Sequence, residues 1–300
     1  MNSSLYIFTK SLFRYYYSVF NVKKLLKYGF KWKLKSLDIK SLKKSDTLFV
    51  LGSGSSINNI NEEGWEHIKS HNSIGLNYWP IHDFIPDIVM FEMPRGDRSK
   101  FFYDVLKIKK DLYKNTPFIF KGLYKNRKDF NGIKEASKKF PLELVENMYL
   151  GYELSLPGRN INEFEAGLEI LFKRGFFNSN SNINTLAQYR GTVTCAISFA
   201  IKAGFKKIVL CGVDLNDTKY FYEEMSSYYT QKGIPVPPTG QVGSVHKTNI
   251  ELNNVIPISK AIEIFDRFFN EKYGGKIYVS NSKSALYPNI AYYKIQSDEI

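Results

Sequence analysis

The chain has 300 residues, of which 43% are hydrophobic and 16% aromatic, a composition typical of a folded globular protein with one large domain or two small ones. Its formal net charge of +13 indicates an acidic partner: nucleic acid, anionic lipid and phosphorylated or carboxylated substrates are all candidates. Both cysteines, Cys195 and Cys211, lie in apolar runs and predict buried reduced thiols of a cytosolic protein; with only four histidines, a structural zinc site is not expected.

Most of the positive charge lies near the start of the chain. Residues 1–50 hold eleven lysines and arginines but only two aspartates, so nine of the thirteen surplus charges fall there. Residues 1–45, which we name the basic aromatic arm, also contain ten aromatic side chains. The arm lacks the ~20 consecutive apolar residues of a membrane span, and its cations interrupt any secretory signal. Two interpretations stay open: docking to an anionic membrane surface, or packing of a helical arm on the body or on a partner chain.

The first half of the remaining chain alternates short apolar runs with helical ones, which is typical of a parallel sheet covered by helices. We predict strands at 47–51, 73–76, 88–91 and 118–120, and a helix at 61–70. Residues 122–184 are less regular and rich in Asn, Phe and Lys, which indicates an inserted, partly helical region facing the substrate.

Regular elements return in the second half. Residues 194–203 form an apolar helix that ends at Gly204, and a buried strand with the pattern Gly-x-Asp at its end follows at 206–211. Residues 258–273 have the spacing of a long amphipathic helix closed by Gly274, and 276–280 are the last predicted core strand. The arm is therefore followed by one α/β domain at 46–295, with a lid around 215–256.

Polar residues stand at the predicted carboxyl ends of these strands, which meet at one edge of a parallel sheet where doubly wound proteins bind ligands. Each residue also has a structural interpretation, because serines and aspartates cap helices and asparagine shapes turns. The candidate binding residues are Gly52, Ser53, Gly54, Ser55, Ser56, Asn77, Glu92, Gly212, Asp214, Ser280 and Ser282.

The run Gly52-Ser-Gly-Ser-Ser56 follows the first predicted strand directly. Its two glycines permit a sharp turn that exposes backbone N–H groups to an anion. The run therefore predicts a phosphate-binding loop, with a plain turn as the alternative.

Three side chains are candidates for catalysis. Tyr220 and Tyr222 follow Asp214 on a predicted loop, where a phenol can donate a hydrogen bond to a departing phosphate; simple packing of the loop is the alternative. His246 lies in a polar stretch rather than on an apolar face, and a histidine pKa near neutrality suits a general base.

At these residues the chain resembles the bacterial CMP-sialic acid-dependent sialyltransferases of glycosyltransferase family forty-two. The resemblance extends over roughly residues 46–290 in order, although the middle matches poorly. The blocks that carry it are Val50-Leu-Gly-Ser-Gly-Ser-Ser56, Gly75-Leu-Asn77, Arg190-Gly-Thr192, Gly204-Phe-Lys-Lys-Ile-Val-Leu-Cys-Gly-Val-Asp214 and Val245-His-Lys-Thr-Asn249.

This resemblance implies a Rossmann-like, GT-A-like variant with a lid, and an inverting transfer from a CMP-activated sugar that uses no metal and no cofactor. It implies that His246 is the general base and that Tyr220, with Tyr222, stabilises the leaving phosphate. It further implies that Arg190 and Thr192 join the strand-end residues in holding the donor. The expected partners are a CMP-sugar donor and a glycan or glycolipid acceptor of a lipooligosaccharide or capsule.

The chain departs from the family pattern at several positions. Asn216 stands where the family has a tyrosine, and Glu92 stands in place of an asparagine, which points to a different sugar. The basic aromatic arm lies at the N-terminus, whereas known members carry their membrane-associating segment at the other end.

The resemblance thus predicts a cytoplasmic protein, peripheral on the inner membrane, that does not bind nucleic acid; whether it forms a homo-oligomer is left open. Two alternatives remain. A diphosphotransferase similar to the archaeal-type pterin pyrophosphokinases would have a related core but need Mg²⁺. A non-catalytic membrane or nucleic-acid binder would act through the arm alone.

Overall fold

The computed structural model describes residues 5–6, 8–10, 12–13, 16–17, 20, 23, 37–92, 98–122, 127–178, 184–238 and 244–295. The following statements concern those residues. Long apolar runs such as Thr47–Leu51 are buried on both faces, as strands are in the middle of a parallel sheet.

A nine-stranded sheet, parallel throughout, forms the centre of the molecule in the order β6-β5-β4-β3-β2-β1-β7-β8-β9. The Rossmann-like fold class predicted from the sequence is confirmed by this order. The strands are β1 (Thr47–Leu51), β2 (Asn72–Leu76), β3 (Ile88–Glu92), β4 (Phe118–Gly122), β5 (Met148–Ser155), β6 (Thr185–Gln188), β7 (Lys207–Cys211), β8 (Lys276–Val279) and β9 (Ala291–Tyr292).

The direction in which the chain builds the sheet reverses beside β1. From β1 the chain adds strands outward to β6, and it then crosses back to place β7 on the other side of β1. The loops that leave β1 and β7 therefore diverge over opposite halves of the sheet, and the crevice between them is where doubly wound proteins bind ligands.

Helices cover both faces of the sheet. Alternate strand side chains divide between the two, so that Leu48 and Val50 face one core and Phe49 and Leu51 face the other. Helices α5, α6 and α9 pack on the first face, and α2 and α7 on the second. The helices are α1 (Ile39–Leu42), α2 (Glu62–Lys69), α3 (Arg98–Ile108), α4 (Arg127–Lys139), α5 (Ile161–Lys173), α6 (Thr192–Lys202), α7 (Phe221–Glu224), α8 (Ser226–Gln231) and α9 (Ile258–Tyr273).

The prediction that residues 122–184 are an insertion is wrong, although the expected helices are present as α4 and α5. These residues supply β5, which extends the same sheet and pairs with β6 directly after this segment. The strand pattern was hidden by charge: Glu153 lies in β5 with only 8% of its side chain exposed, paired with Lys121 of β4. A buried ion pair interrupts the apolar run by which a buried strand is recognised.

The described residues of the basic aromatic arm between positions 5 and 23 are helical. Phe8 is buried against the core that contains α5 and α9, and Leu12 packs beside it. The arm's cations Arg14, Lys24, Lys27, Lys31, Lys33 and Lys35 lie outside the described residues, as do the aromatic residues Tyr15, Tyr28, Phe30 and Trp32. Large exposed side chains are Tyr6, Phe13, Tyr16, Tyr17 and Phe20.

Over the described part of the chain, no helix combines the length and the apolar character that a membrane crossing requires.

Candidate functional site

A cleft of about 260 Å³ opens at the carboxyl edge of the sheet, over the crevice between β1 and β7. Its lining comes from separate segments of the chain: the loop after β1, the end of β2, the end of β3, the start of α6, the loop after β7, residues 246–248 and Ile258 at the start of α9. The predicted site residues that it brings together are Gly52, Ser53, Gly54, Asn77, Glu92, Arg190, Thr192, Gly212, Asp214, Tyr220 and His246.

The loops after β1 and β7 are in direct backbone contact. The N–H groups of Gly52 and Gly54 donate to the carbonyls of Cys211 and Gly212, at 2.7 and 2.8 Å. A Cβ on Gly52 would clash with the carbonyl oxygen of Gly212. These glycines are therefore required by the approach of one loop to the other, and the prediction that their own N–H groups face an anion is wrong.

Asp214 joins three strand ends. Its Oδ1 accepts hydrogen bonds from Ser56 Oγ at 2.5 Å and from Asn281 Nδ2 at 3.0 Å, and its Oδ2 accepts the Ser56 N–H at 3.1 Å. The side chain is buried. Asp214 lines the cleft, but its carboxylate is already bound by residues of the loops after β1 and β8, and so it joins these loops to the loop after β7.

Four predicted serines do not line the cleft. Ser55 donates to Asp217, which does line it, and Ser56 donates to Asp214. Ser280 Oγ points back to the Leu210 carbonyl, and Ser282 is exposed. In that run it is Asn281 whose side chain binds Asp214. The sequence did not single it out, because asparagine in a serine-rich loop also suits a turn.

Asn77 and Thr192 connect the end of β2 with the start of α6. Thr192 Oγ1 donates to Asn77 Oδ1 at 3.1 Å, and Asn77 has a positive φ of 54° that turns it toward the helix. Gly191, Thr192 and Val193 line the cleft, so the first turn of this eleven-residue helix faces it. Backbone N–H groups at a helix start and the helix dipole favour an anion there.

Arg190 binds the segment that the sequence analysis predicts to be a lid. Its guanidinium donates to the carbonyls of Lys247 at 2.8 Å, Ile250 at 2.9 Å and Ile256 at 3.2 Å. Tyr189 beside it donates to the Ile256 carbonyl at 2.9 Å. Arg190 lines the cleft, and its guanidinium also fixes the loop that carries His246; its contact with the donor stays a prediction. Residues 239–243 of the predicted lid lie outside the described residues.

His246 is half-buried above the cleft. Its backbone N–H donates to the Leu215 carbonyl at 3.1 Å, and its Nδ1 lies 2.8 Å from Thr248 Oγ1. Burial, together with the charges of Lys247 and Arg190, lowers the pKa of His246 below the ordinary value of 6.5. The imidazole is thus neutral at neutral pH, which is the state in which a histidine accepts a proton.

The two candidate tyrosines occupy different environments. Tyr220 lines the cleft, with its ring centroid 6.4 Å from that of His246. Tyr222 is 1% exposed and lies outside the cleft lining, stacked beside Tyr220 at 5.3 Å and packed against Tyr78. The prediction that Tyr222 touches the leaving group is therefore wrong: it supports Tyr220 from the core.

Two lysines of the cleft were not predicted from the sequence. Lys219 and Lys247 both line it and are exposed. In a chain with 42 lysines and arginines, nothing in the local pattern distinguished these two.

Glu92 is the last residue of β3, and the buried residues Lys121 and Glu153 lie next to it on β4 and β5. Lys121 Nζ is 2.7 Å from Glu153 Oε1 and 3.4 Å from Glu92 Oε2, with 2% of its side chain exposed. Burial disfavours the charge on Lys121, yet the two carboxylates hold its pKa above the ordinary lysine value.

Within the described ranges, no group of three or more histidine, cysteine, aspartate or glutamate side chains is placed to hold a metal ion. Asp214 and Asp217 lie three positions apart in the sequence, but their carboxylates have different hydrogen-bond partners. Asp214 accepts from Ser56, and Asp217 accepts from Ser55.

The fold defines a doubly wound α/β protein with a cleft at its switch point. No protein-family model matches the chain, and no curated protein matches it.

Three solved structures are similar to it. One is the monofunctional alpha-2,3-sialyltransferase Cst-I from Campylobacter jejuni, at 16% identity over 82% of this chain and 80% of that chain, with a TM-score of 0.45. A second is a single-substitution variant of the sialyltransferase CST-II in complex with CMP, at 16% identity over 85% and 89%, with a TM-score of 0.46. A third is the sialyltransferase CstII from Campylobacter jejuni with cytidine-5'-monophosphate, at 16% identity over 85% and 88%, with a TM-score of 0.39.

Proposed function

We propose that the protein is an inverting, metal-independent glycosyltransferase. It transfers sialic acid, or a related nonulosonic or ulosonic acid, from its CMP donor to a hydroxyl group of a bacterial surface glycan. The observation that carries the proposal is convergence: Asn77, Thr192, Asp214, Tyr220 and His246 come from distant parts of the sequence, and all line one cleft at the switch point.

The charges of the cleft suit the anionic part of such a donor. The first turn of α6 directs backbone N–H groups toward the cleft, and Lys219 and Lys247 add positive charge on its lid side. The phosphate and the carboxylate of a CMP-activated acidic sugar would lie between these groups. The bonded pair Asn77 and Thr192 would fix the position of the donor at the helix start.

His246 is the general base of the proposed reaction. The neutral imidazole, whose Nδ1 lies 2.8 Å from Thr248 Oγ1, takes the proton of an acceptor hydroxyl on its unprotonated ring nitrogen. The acceptor oxygen forms a bond to the anomeric carbon from the face opposite CMP as the bond from that carbon to the phosphate oxygen breaks. CMP leaves with the bonding electron pair, and the Tyr220 hydroxyl donates a hydrogen bond to the departing phosphate.

A ligand screen tests the donor class. A ligand that binds only the folded state raises the melting temperature, so CMP should stabilise the protein while UDP, GDP and ADP at equal concentration should not. Turnover of a CMP-sugar panel in the presence of EDTA then tests the reaction and its independence of metal. Stabilisation by ADP or GDP with Mg²⁺-dependent phosphoryl transfer would instead support the diphosphotransferase alternative.

We also propose that the basic aromatic arm holds the enzyme on an anionic membrane surface, at the cytoplasmic side of the inner membrane where lipid-linked acceptors would lie. The arm presents two kinds of side chain: Phe8 packs on the body, while Phe13, Tyr16 and Tyr17 are exposed beside a basic sequence.

Vesicle sedimentation tests this second proposal. The protein should bind vesicles with 30 mol% phosphatidylglycerol and not pure phosphatidylcholine. Joint replacement Phe13→Ala, Tyr16→Ala and Tyr17→Ala should weaken binding at least tenfold without changing turnover of a soluble acceptor. Equal sedimentation of the wild type and the triple variant would contradict it.

A further inference from the structure

A carboxylate faces the cleft at the end of β3. The Glu92 side chain is 71% exposed and lines the cleft, and the Glu92 N–H lies 3.5 Å from Asn77 Oδ1. The same amide oxygen accepts the Thr192 hydroxyl. Glu92 therefore stands beside the residues that the proposed function places on the donor.

A buried cation supports this carboxylate from behind. Lys121 is 2% exposed and lies between Glu92 and Glu153, whose carboxylate is 8% exposed. Burying an ion pair costs desolvation energy, so the pair is weak evidence for stability. Since one ammonium is shared by two carboxylates, the group keeps a net negative charge, and the exposed member of the group is the one in the cleft.

The cleft is not uniformly positive, because three carboxylates line it together with Lys219 and Lys247. Asp214 and Asp217 accept hydrogen bonds from neighbouring serine side chains, whereas the Glu92 side chain is 71% exposed at the end of β3. Glu92 would repel an anionic group of a ligand and accept hydrogen bonds from O–H or N–H groups. A ligand with an anionic part and a part rich in O–H or N–H groups therefore fits the cleft.

We propose that Glu92 is a specificity-determining residue that accepts hydrogen bonds from O–H or N–H groups of the donor sugar, and that Lys121 is a positioning residue that holds the Glu92 carboxylate in place. The inference rests on the proposed function, since it concerns the sugar of the same CMP donor. It assigns the hydroxyl- or amine-bearing side of the sugar to the end of β3.

A thermodynamic cycle between protein and ligand tests this assignment. Binding of CMP, CMP-sialic acid and single-deoxy analogues of that sugar is measured by calorimetry in a His246→Ala background, in which turnover should be slow, and without an acceptor. With Glu92 present, one deoxy analogue should bind roughly tenfold more weakly than the parent, because a hydrogen bond to a charged acceptor is lost. With Glu92→Ala, the same deoxy analogue and the parent should bind equally.

The control is Glu135→Ala. Glu135 is also an exposed glutamate within reach of a lysine, with Lys138 Nζ 3.1 Å away, but it lies on α4. In the Glu135→Ala variant, the deoxy analogue should still bind tenfold more weakly than the parent. CMP affinity should be the same in all these variants, since the cytidine phosphate is not the part assigned to Glu92.

The positioning role of Lys121 needs a variant that does not leave Glu153 buried and unpaired. The double replacement Lys121→Met with Glu153→Gln removes both charges. The double variant should fold with a similar melting temperature. In it, the deoxy analogue should bind less than threefold more weakly than the parent, instead of tenfold, whereas the single variant Lys121→Arg should keep most of the tenfold difference. A purely structural role of Lys121 would leave the penalty unchanged in the folded double variant.

The outcomes are distinguishable. If no deoxy position is coupled to residue 92 although CMP and CMP-sialic acid bind, the inference about Glu92 is overturned and the proposed function stands. If the protein binds neither CMP nor CMP-sialic acid, the proposed function is overturned, and the inference with it.

Discussion

Ser56 and Asp214 are joined by two hydrogen bonds, from Oγ to Oδ1 at 2.5 Å and from the backbone N–H to Oδ2 at 3.1 Å, although 158 positions separate them in the sequence. Ser56 follows β1 and Asp214 follows β7, so their contact connects the two loops that leave the sheet at its switch point. Asn281, after β8, donates to the same carboxylate. The cleft is therefore built on a partly buried polar junction around Asp214.

Asp214→Asn should destabilise this junction. The new amide would present N–H donors to Ser56 and Asn281, which already donate. We expect the free energy of unfolding to fall by about 2 kcal/mol, as measured by urea denaturation, because hydrogen bonds to a buried charged group are lost. The matched control is Asp104→Asn, whose partner Lys107 lies at 3.6 Å on the surface. A change in Asp214→Asn no larger than in this control would contradict the role of the junction.

Gly54→Ala tests how closely the two loops approach. A Cβ at position 54 would clash with Asp214 Oδ2 and lie 2.8 Å from the Gly212 carbonyl oxygen. We expect a loss of about 3 kcal/mol in the free energy of unfolding, since the Gly212 oxygen belongs to the backbone and hydrogen bonds hold the Asp214 carboxylate in place. Gly233→Ala is the comparison: it has a positive φ of 72° with open space around it, and should cost about 1 kcal/mol. Equal losses would argue against the close approach.

Arg190→Ala should loosen the loop that carries His246. The guanidinium donates to three carbonyls of residues 247–256, and its removal leaves those carbonyls without a charged donor. We expect amide hydrogen exchange in residues 244–256 to become at least tenfold faster and KM for the donor to rise. Arg267→Ala, which removes a surface pair with Glu165, should change neither quantity. Unchanged exchange in Arg190→Ala would show that the loop is held by other contacts.

The acid limb of kcat/KM should report His246. Because burial and the neighbouring cations lower its pKa, the base form persists above pH 6.5 and is lost as the pH falls through the lowered value. The midpoint of the limb should therefore lie below 6.5. Lys247→Met removes one of the cations and should move the midpoint upward, whereas Lys138→Met, on α4, should not. A midpoint above 6.5 in the wild type would assign the limb to another group.

Parts of this architecture were predictable because local signals agreed with the global fold. The first strand, Thr47–Leu51, has five buried residues before a glycine, and α9 was predicted at its observed bounds. Helix α9 has clear amphipathic spacing, and Gly274 ends it with a positive φ of 61°. Such segments carry their structure in their own pattern.

Other features depend on partners that a local pattern does not reveal. Arg190 was predicted to bind a ligand, and only the fold shows that carbonyls some sixty positions away take up its donors. Nothing in the local pattern pairs Lys121 with Glu153, which the neighbouring strands β4 and β5 bring together. The site was predictable at strand ends, where position alone determines proximity, and not where a long-range hydrogen bond assigns the role.

The most direct measurement of the central claim is transfer from CMP-sialic acid and related CMP-sugars by the wild type and by His246→Ala, with CMP release and product configuration followed by NMR. We predict that the wild type forms a glycoside of inverted configuration. His246→Ala should lower kcat by roughly 10²–10⁴, as expected for loss of a general base, with CMP affinity within about threefold. Absence of turnover from every CMP-sugar, or equal turnover by the folded His246→Ala variant, would contradict the account.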